Sequence, residues 1–224
     1  MKKKSVVILF SILLIFFATG LGYAETGRFA VAAKASSLGL GAELTAGITQ
    51  TINGRLGFNA FTYDYDGTES DVEYEFTLNL LTVSALLDWH PFDSGFRITG
   101  GVLYNGNDVD AEGKPTNLSY TIGDVTYTAA EVGTLTGTID VNSVAPYIGI
   151  GWGNAVGKDK KWSFVFDLGV IYQGSPEVAL SANGTLSSDA TFLTELEKER
   201  RELEDDLDSY KYYPVIAFGV SYKF

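Results

Sequence analysis

His90 is the only histidine among 224 residues, and the sequence contains no cysteine. Those two counts restrict the available chemistry. A Ser/His/Asp relay needs an imidazole beside its nucleophile, and a Cys/His pair needs a thiol. His90 stands in DWHPFDSG, a stretch with the proline, aspartate and glycine of a tight turn, and we read it as a turn residue. The acidic clusters DGTESD and NGNDVDAEG offer oxygen ligands of the kind that hold Ca²⁺ or Mg²⁺. Neither has the spacing of a calcium loop, and both read as solvated carboxylates. The sequence predicts no enzyme, no metal site and no cofactor.

Another set of charges sits inside apolar stretches. Arg28, Lys34, Glu43, Arg97, Asp167 and Lys223 each alternate with hydrophobic neighbours. In RFAVAAKAS, Phe29, Val31, Ala33 and Ala35 oppose Arg28, Ala30, Ala32 and Lys34. In WSFVFDLGVIYQ, Trp162, Phe164, Phe166, Leu168, Val170 and Tyr172 oppose a face holding Asp167 and Gly169. A period of two is the period of a strand. It recurs over residues 28–36, 38–49, about 55–66, about 72–89, 96–105, 144–153, 162–173 and 214–224. These eight stretches predict an all-β chain, an eight-stranded antiparallel up-and-down barrel. The alternation changes phase at Ala60–Phe61 and at Leu80–Leu81, which predicts either bulges or strands that leave the apolar band. Pro146 removes a ladder donor inside a strand and is read as a bulge or a rim position.

Alternation alone also suits a soluble barrel whose apolar face turns inward around a ligand. Three features favour a membrane. The apolar face is bulky, while the opposite face is glycine, small polar residues and the six charges. Aromatic residues bracket the apolar runs: Trp89, Trp152 and Trp162 at the end with short turns, Tyr65, Tyr104, Tyr172 and Tyr212 at the other. Trp162 to Tyr172 is ten steps of ~3.3 Å, which at a tilt of ~40° covers roughly 25 Å, the height of an outer-membrane apolar band. Finally, residues 1–24 have three lysines, an apolar run and small residues ending at Ala24, the layout of a signal peptide. The expected domains are thus 1–24, signal peptide, and 25–224, barrel. Losing Lys2, Lys3 and Lys4 changes the net charge from −12 to −15, and such acidity argues against nucleic-acid partners. Eight strands leave a lumen just wide enough for side chains, so the six charges predict a plug of ion pairs more readily than a gated pore.

Two long connections carry further signals. In TFLTELEKERRELEDDLDSYKYY, Leu193, Leu196, Leu203 and Leu207 recur at helical spacing, one stripe of an amphipathic helix. In LSYTIGDVTYTA, Gly123–Asp124 suits a hairpin turn with Tyr120 opposite Tyr127, predicted to extend the barrel wall.

The final strand, with Phe218, Val220, Tyr222 and Phe224 on one face, resembles the terminal signature of Gram-negative outer-membrane barrels, read there by the barrel-assembly machinery. The chain resembles the small eight-stranded class of OmpA, OmpX and OmpW type. More narrowly, LLDWHPF, FRITGGVLYN, VAPYIGIGWG, FDLGVIYQGSP and YYPVIAFGVSYKF resemble a group of proteobacterial outer-membrane proteins without an assigned activity. The resemblance implies an outer-membrane location, long loops extracellular and termini periplasmic, with lipid, lipopolysaccharide and the assembly machinery as partners. It implies a non-enzymatic structural or surface-interaction role, or alternatively a narrow pore or OmpW-like channel for small solutes or apolar molecules.

Overall fold

The computed structural model describes residues 28–69, 72–92, 94–115, 119–157 and 160–224; the expected signal peptide lies outside them. Eight strands close a barrel: β1 (Phe29–Ser36), β2 (Gly39–Gly47), β3 (Ile52–Glu69), β4 (Val72–Trp89), β5 (Phe96–Asn105), β10 (Val144–Trp152), β11 (Trp162–Tyr172) and β13 (Tyr212–Lys223). All eight neighbour pairs run antiparallel, and β13 closes the cylinder by pairing with β1, Ala30 opposite Lys223 and Ser36 opposite Ala217. The alternation read in the sequence becomes an inside and an outside. On β11, Phe164 is 82 % exposed and Val165 4 %; on β13, Phe218 is 62 % exposed and Ala217 3 %. Val220 and Phe224 share the outer face with Phe218, and Tyr222 packs against Trp162 with ring centroids 4.9 Å apart. An outer face of exposed Leu, Ile, Val and Phe is matched to hydrocarbon, not to water. Trp89, Trp152 and Trp162 stand exposed at the short-turn end. At the other end Tyr172 packs against Tyr212 with ring centroids 5.4 Å apart and planes tilted by 53°, and Tyr104 pairs with Val144.

Pro146 sits at a rim. The β10–β11 ladder begins at Tyr147 opposite Ile171, so the missing donor of Pro146 falls just beyond it. Pro214 is placed likewise: it lies past Ala217, where the β13–β1 ladder stops. Neither proline breaks a ladder bond.

The two phase changes involve no bulge. β3 and β4 pair in one unbroken register from Ile52 opposite Trp89 to Glu69 opposite Val72. What changes is the surroundings. β2 leaves β3 after Ala60, and beyond that point β3 and β4 stand outside the barrel, so Tyr65 lies farther out than the other tyrosines of the rim. There the sheet continues beyond β4 through three further strands: β6 (Asp108–Pro115) pairs with β4, β9 (Leu135–Asp140) with β6, and β12 (Glu177–Ala182) with β9. These strands occupy stretches read from sequence as loop.

The predicted hairpin forms as β7 (Ser119–Ile122) and β8 (Val125–Thr128), with Tyr120 opposite Tyr127 and Gly123 at φ 59°. It does not extend the wall as predicted. It is a separate two-stranded sheet, followed by the short helix α1 (Ala129–Val132), and it packs on the long helix α2 (Ala190–Leu207). Asp189 caps α2, its carboxylate accepting from Thr191 N and Phe192 N at 2.9 and 3.0 Å, a bond pattern that satisfies otherwise orphaned donors. Ile122, Tyr127, Val132, Phe192 and Leu196 form the core of this long-loop unit, with Leu135, Leu180 and Ala182 of the sheet packed against it.

The packed stripe of α2 differs from the predicted one. Phe192 and Leu196 are buried and Leu207 half-buried, whereas Leu193 and Leu203 are exposed. The reason is polar docking. Glu195 and Glu199 accept from the backbone N–H groups of Asp124 and Gly123 in the hairpin turn, both at 3.0 Å. Glu204 accepts from Val178 N on the edge of β12, also at 3.0 Å. The helix is rotated to turn these glutamates inward, which swings Leu193 and Leu203 out.

Candidate functional site

The lumen is filled by charge. Six of the eight barrel strands each contribute one ionic side chain: Lys34 from β1, Glu43 from β2, Arg55 from β3, Asp88 from β4, Arg97 from β5 and Asp167 from β11. Three are cationic and three anionic, and all are nearly inaccessible to solvent. Asp167 is the hub. Its Oδ2 accepts from Lys34 Nζ at 2.6 Å and from Arg55 Nη1 at 3.3 Å, and its Oδ1 accepts from Arg97 Nη2 at 2.6 Å. Arg55 spans the barrel. Its Nη1 donates to Glu43 at 3.0 Å, its Nη2 to Thr99 Oγ1 at 3.2 Å, and its Nε lies 2.8 Å from Asp88 Oδ2. Thr99 Oγ1 in turn donates to Asp88 Oδ1 at 2.7 Å. Buried charges persist only when they are paired and hydrogen-bonded, and this set balances three against three.

The small residues opposite make this packing possible. A Cβ on Gly151 would stand 2.7 Å from Arg97 Nε, and one on Gly169 2.3 Å from the Tyr147 hydroxyl. The glycine-rich face of the sequence is therefore the space into which Arg97 and Tyr147 extend. Beyond the network toward the long loops, the remaining cavity is ≈ 40 Å³, room for a few waters.

Of the six charges expected in the lumen, Lys34, Glu43, Arg97 and Asp167 come together. Arg28 and Lys223 do not. Arg28 lines a vestibule of ≈ 550 Å³ at the short-turn end, together with Lys160, Asn53 and His90; Lys223 Nζ donates to Gly157 O at 2.6 Å in the same region. Arg55 and Asp88 complete the network and are absent from the sequence-based set. Both were legible: Arg55 shares a face with Asn53, Gly57 and Asn59, and Asp88 lies between the outward-facing Leu87 and Trp89. The phase changes farther along β3 and β4 obscured them.

His90 ties the short turns together. Asn154 Oδ1 accepts from Val156 N at 3.1 Å and also from Asn53 Nδ2 at 3.2 Å. The same Asn53 nitrogen lies 3.1 Å from His90 Nε2. His90 Nε2 is thus the acceptor, and the proton sits on Nδ1, 3.1 Å from Phe96 O. Burial pushes the His90 imidazole below its ordinary pKa of 6.5, against the opposing field of Asp88, and keeps it neutral. Both ring nitrogens are engaged in holding turns, as expected of a turn residue. Among the described residues no group of three histidine or carboxylate side chains is arranged to hold a metal ion.

No family model matches the sequence, and no curated protein matches it. Solved structures do. CarO2 of Acinetobacter baumannii superposes with a TM-score of 0.57 at 21 % identity, over 88 % of this chain and 98 % of that one. CarO of the same organism gives 0.55 at 21 % identity, over 87 % and 97 %. A major outer membrane protein from Thermus thermophilus is similar at 0.43 and 14 % identity, over 88 % and 99 %, too loose a likeness to argue from. At these identities the likeness concerns architecture: the chain has the fold of the small eight-stranded outer-membrane β-barrels.

Proposed function

We propose that this protein is an integral outer-membrane barrel, closed through its lumen and non-enzymatic, which works through the surface that its long-loop unit presents outside the cell. Its termini then lie in the periplasm, where the terminal strand with Phe218, Val220, Tyr222 and Phe224 is read by the assembly machinery. Outer-membrane lipid and lipopolysaccharide contact the apolar belt and its aromatic rims. The observation that carries the reading is the six-charge network. It crosses the lumen from wall to wall and, among the described residues, leaves a cavity of ≈ 40 Å³ above it, far smaller than a hydrated ion needs to pass freely. The long-loop unit, by contrast, has its own core and a large exposed surface.

Single-channel recording in planar bilayers tests this. The expected result is an absence of stable openings. Ion-selective openings whose conductance changes in Arg97→Ala would overturn the closed-lumen reading and favour a narrow solute pore.

A further inference from the structure

We infer that the outer half of β3 is a docking edge for an extended, cationic, amphipathic peptide strand from a partner. The inference rests on the reading of the long-loop unit as an exposed interaction surface. The edge itself follows from the register. Leu81 turns its backbone groups away from β3, its oxygen accepting from Gly106 N at 2.8 Å and its N–H donating to Asn107 Oδ1 at 2.9 Å. Its partner Ala60 therefore turns the other way, toward Leu40 of β2. By the two-residue period of an antiparallel ladder, Thr62, Asp64 and Asp66 also direct N–H and C=O away from β4. β2 has ended by then, and among the described residues no strand pairs with this side of β3. At the opposite margin of the same sheet, Glu204 covers the β12 edge at Val178. One edge is capped and the other is open.

The two faces beside the open edge specify the occupant. Phe61, Tyr63 and Tyr65 project to one face with Phe76 of β4, and all four are exposed. The other face carries Asp64, Asp66 and Glu75. Asp66 stands directly opposite Glu75, and Glu75 directly opposite Glu112. Lys114 reaches Glu75 at 3.0 Å and Glu112 at 3.7 Å, leaving Asp66 the outermost carboxylate of a like-charged row. Like charges directly opposite destabilise a sheet, and a basic residue in the next strand position relieves them. A strand that alternates apolar and basic residues matches both faces at once and adds backbone hydrogen bonds. A second copy of this chain does not match, because edge-to-edge pairing would set acidic strands side by side.

The test uses the full barrel in detergent micelles and a fluorescein-labelled nine-residue peptide alternating lysine and valine. Saturable binding above that to empty micelles is expected. Affinity should fall about five- to tenfold in Thr62→Pro, which removes one edge donor, and by a similar factor when the edge-facing peptide amides are N-methylated. Asp64→Asn with Asp66→Asn should weaken binding further, and the glutamate–valine peptide should not bind. Binding that survives both Thr62→Pro and N-methylation is charge adsorption, and overturns the inference. So does an absence of binding to a folded barrel, a result that leaves the closed-lumen reading standing because conductance decides that separately. If Thr62→Pro fails to fold, the N-methylated peptide makes the same test on the unaltered protein.

Discussion

Strand β3 sends Arg55 and Asn59 into the barrel and Leu56 and Phe58 outward. A few residues farther on, the same inner face carries Phe61, Tyr63 and Tyr65, and the outer face Asp64 and Asp66. Strand β4 mirrors this, with Asp88 and Ser84 inward in the barrel and Leu78 and Phe76 on that face beyond it. The barrel has charge inside and hydrocarbon side chains outside. The long-loop unit has an apolar core and an acidic surface. Backbone, register and strand are continuous across the boundary, so the difference comes from the medium each part meets. Hydrocarbon outside selects apolar outward residues and leaves polar ones to pair within. Water outside selects the reverse.

The contrast can be broken at either core. The largest effect is expected from Arg55→Met, which leaves Glu43, Asp88 and Asp167 against two cations. Removing one partner of a buried ionic set costs about 3–5 kcal/mol. It should appear in urea unfolding of the whole barrel, and unchanged stability would show that the network is not a core. Phe192→Ala removes a ring that is fully buried in the long-loop unit, with an expected local cost of ~3–5 kcal/mol. Hydrogen exchange should rise in β7, β8, β12 and α2 while the barrel strands stay protected. Loss of protection throughout would mean that the two regions fold as one.

The smallest effect, in pH, sharpens the comparison. His90 at the barrel end has its pKa lowered by burial. Its neutral form is the native one, so its contribution is complete above about 6.5 and is lost as pH falls through the lower folded value. Glu204 has its pKa lowered by the backbone N–H of Val178, then by Arg200. Its contribution to helix docking is complete above 4.5 and is lost below, on the same sign rule. Mild acid should therefore loosen the short turns first, seen as a pH dependence that His90→Gln removes. Stronger acid should then free the amide of Val178 to exchange. A reversed order would contradict the assignment.

The barrel was legible because its strands are segregated by face. Hydrocarbon demands strict alternation, and WSFVFDLGVIYQ and PVIAFGVSYKF provide it. Lys34, Glu43, Arg97 and Asp167 stood out as charges on the small-residue face for the same reason. Outside the hydrocarbon that demand ends. β6 reads DVDAEGKP, with Asp108, Asp110 and Glu112 along one face and a glycine and a proline near its end. Nothing in such composition announces a strand. It is ordered by pairing with β4 on one side and β9 on the other, a tertiary cause. The stripe of α2 was hidden for a different reason. Spacing locates leucines but not the glutamates that dock the helix through Gly123, Asp124 and Val178.

The seam between β1 and β13 sets the order in which this molecule can be made. The β1–β2 and β3–β4 hairpins join residues close in sequence and form from local contacts. The seam joins Ala30 to Lys223, a contact of very high sequence separation, and such contacts are slow because loop closure precedes their reward. Until β13 arrives, β1 and β11 are both open edges, unable to rest in lipid. Closure of the seam thus removes both open edges at once, and the strand that closes it is the one whose outer face carries Phe218, Val220 and Phe224.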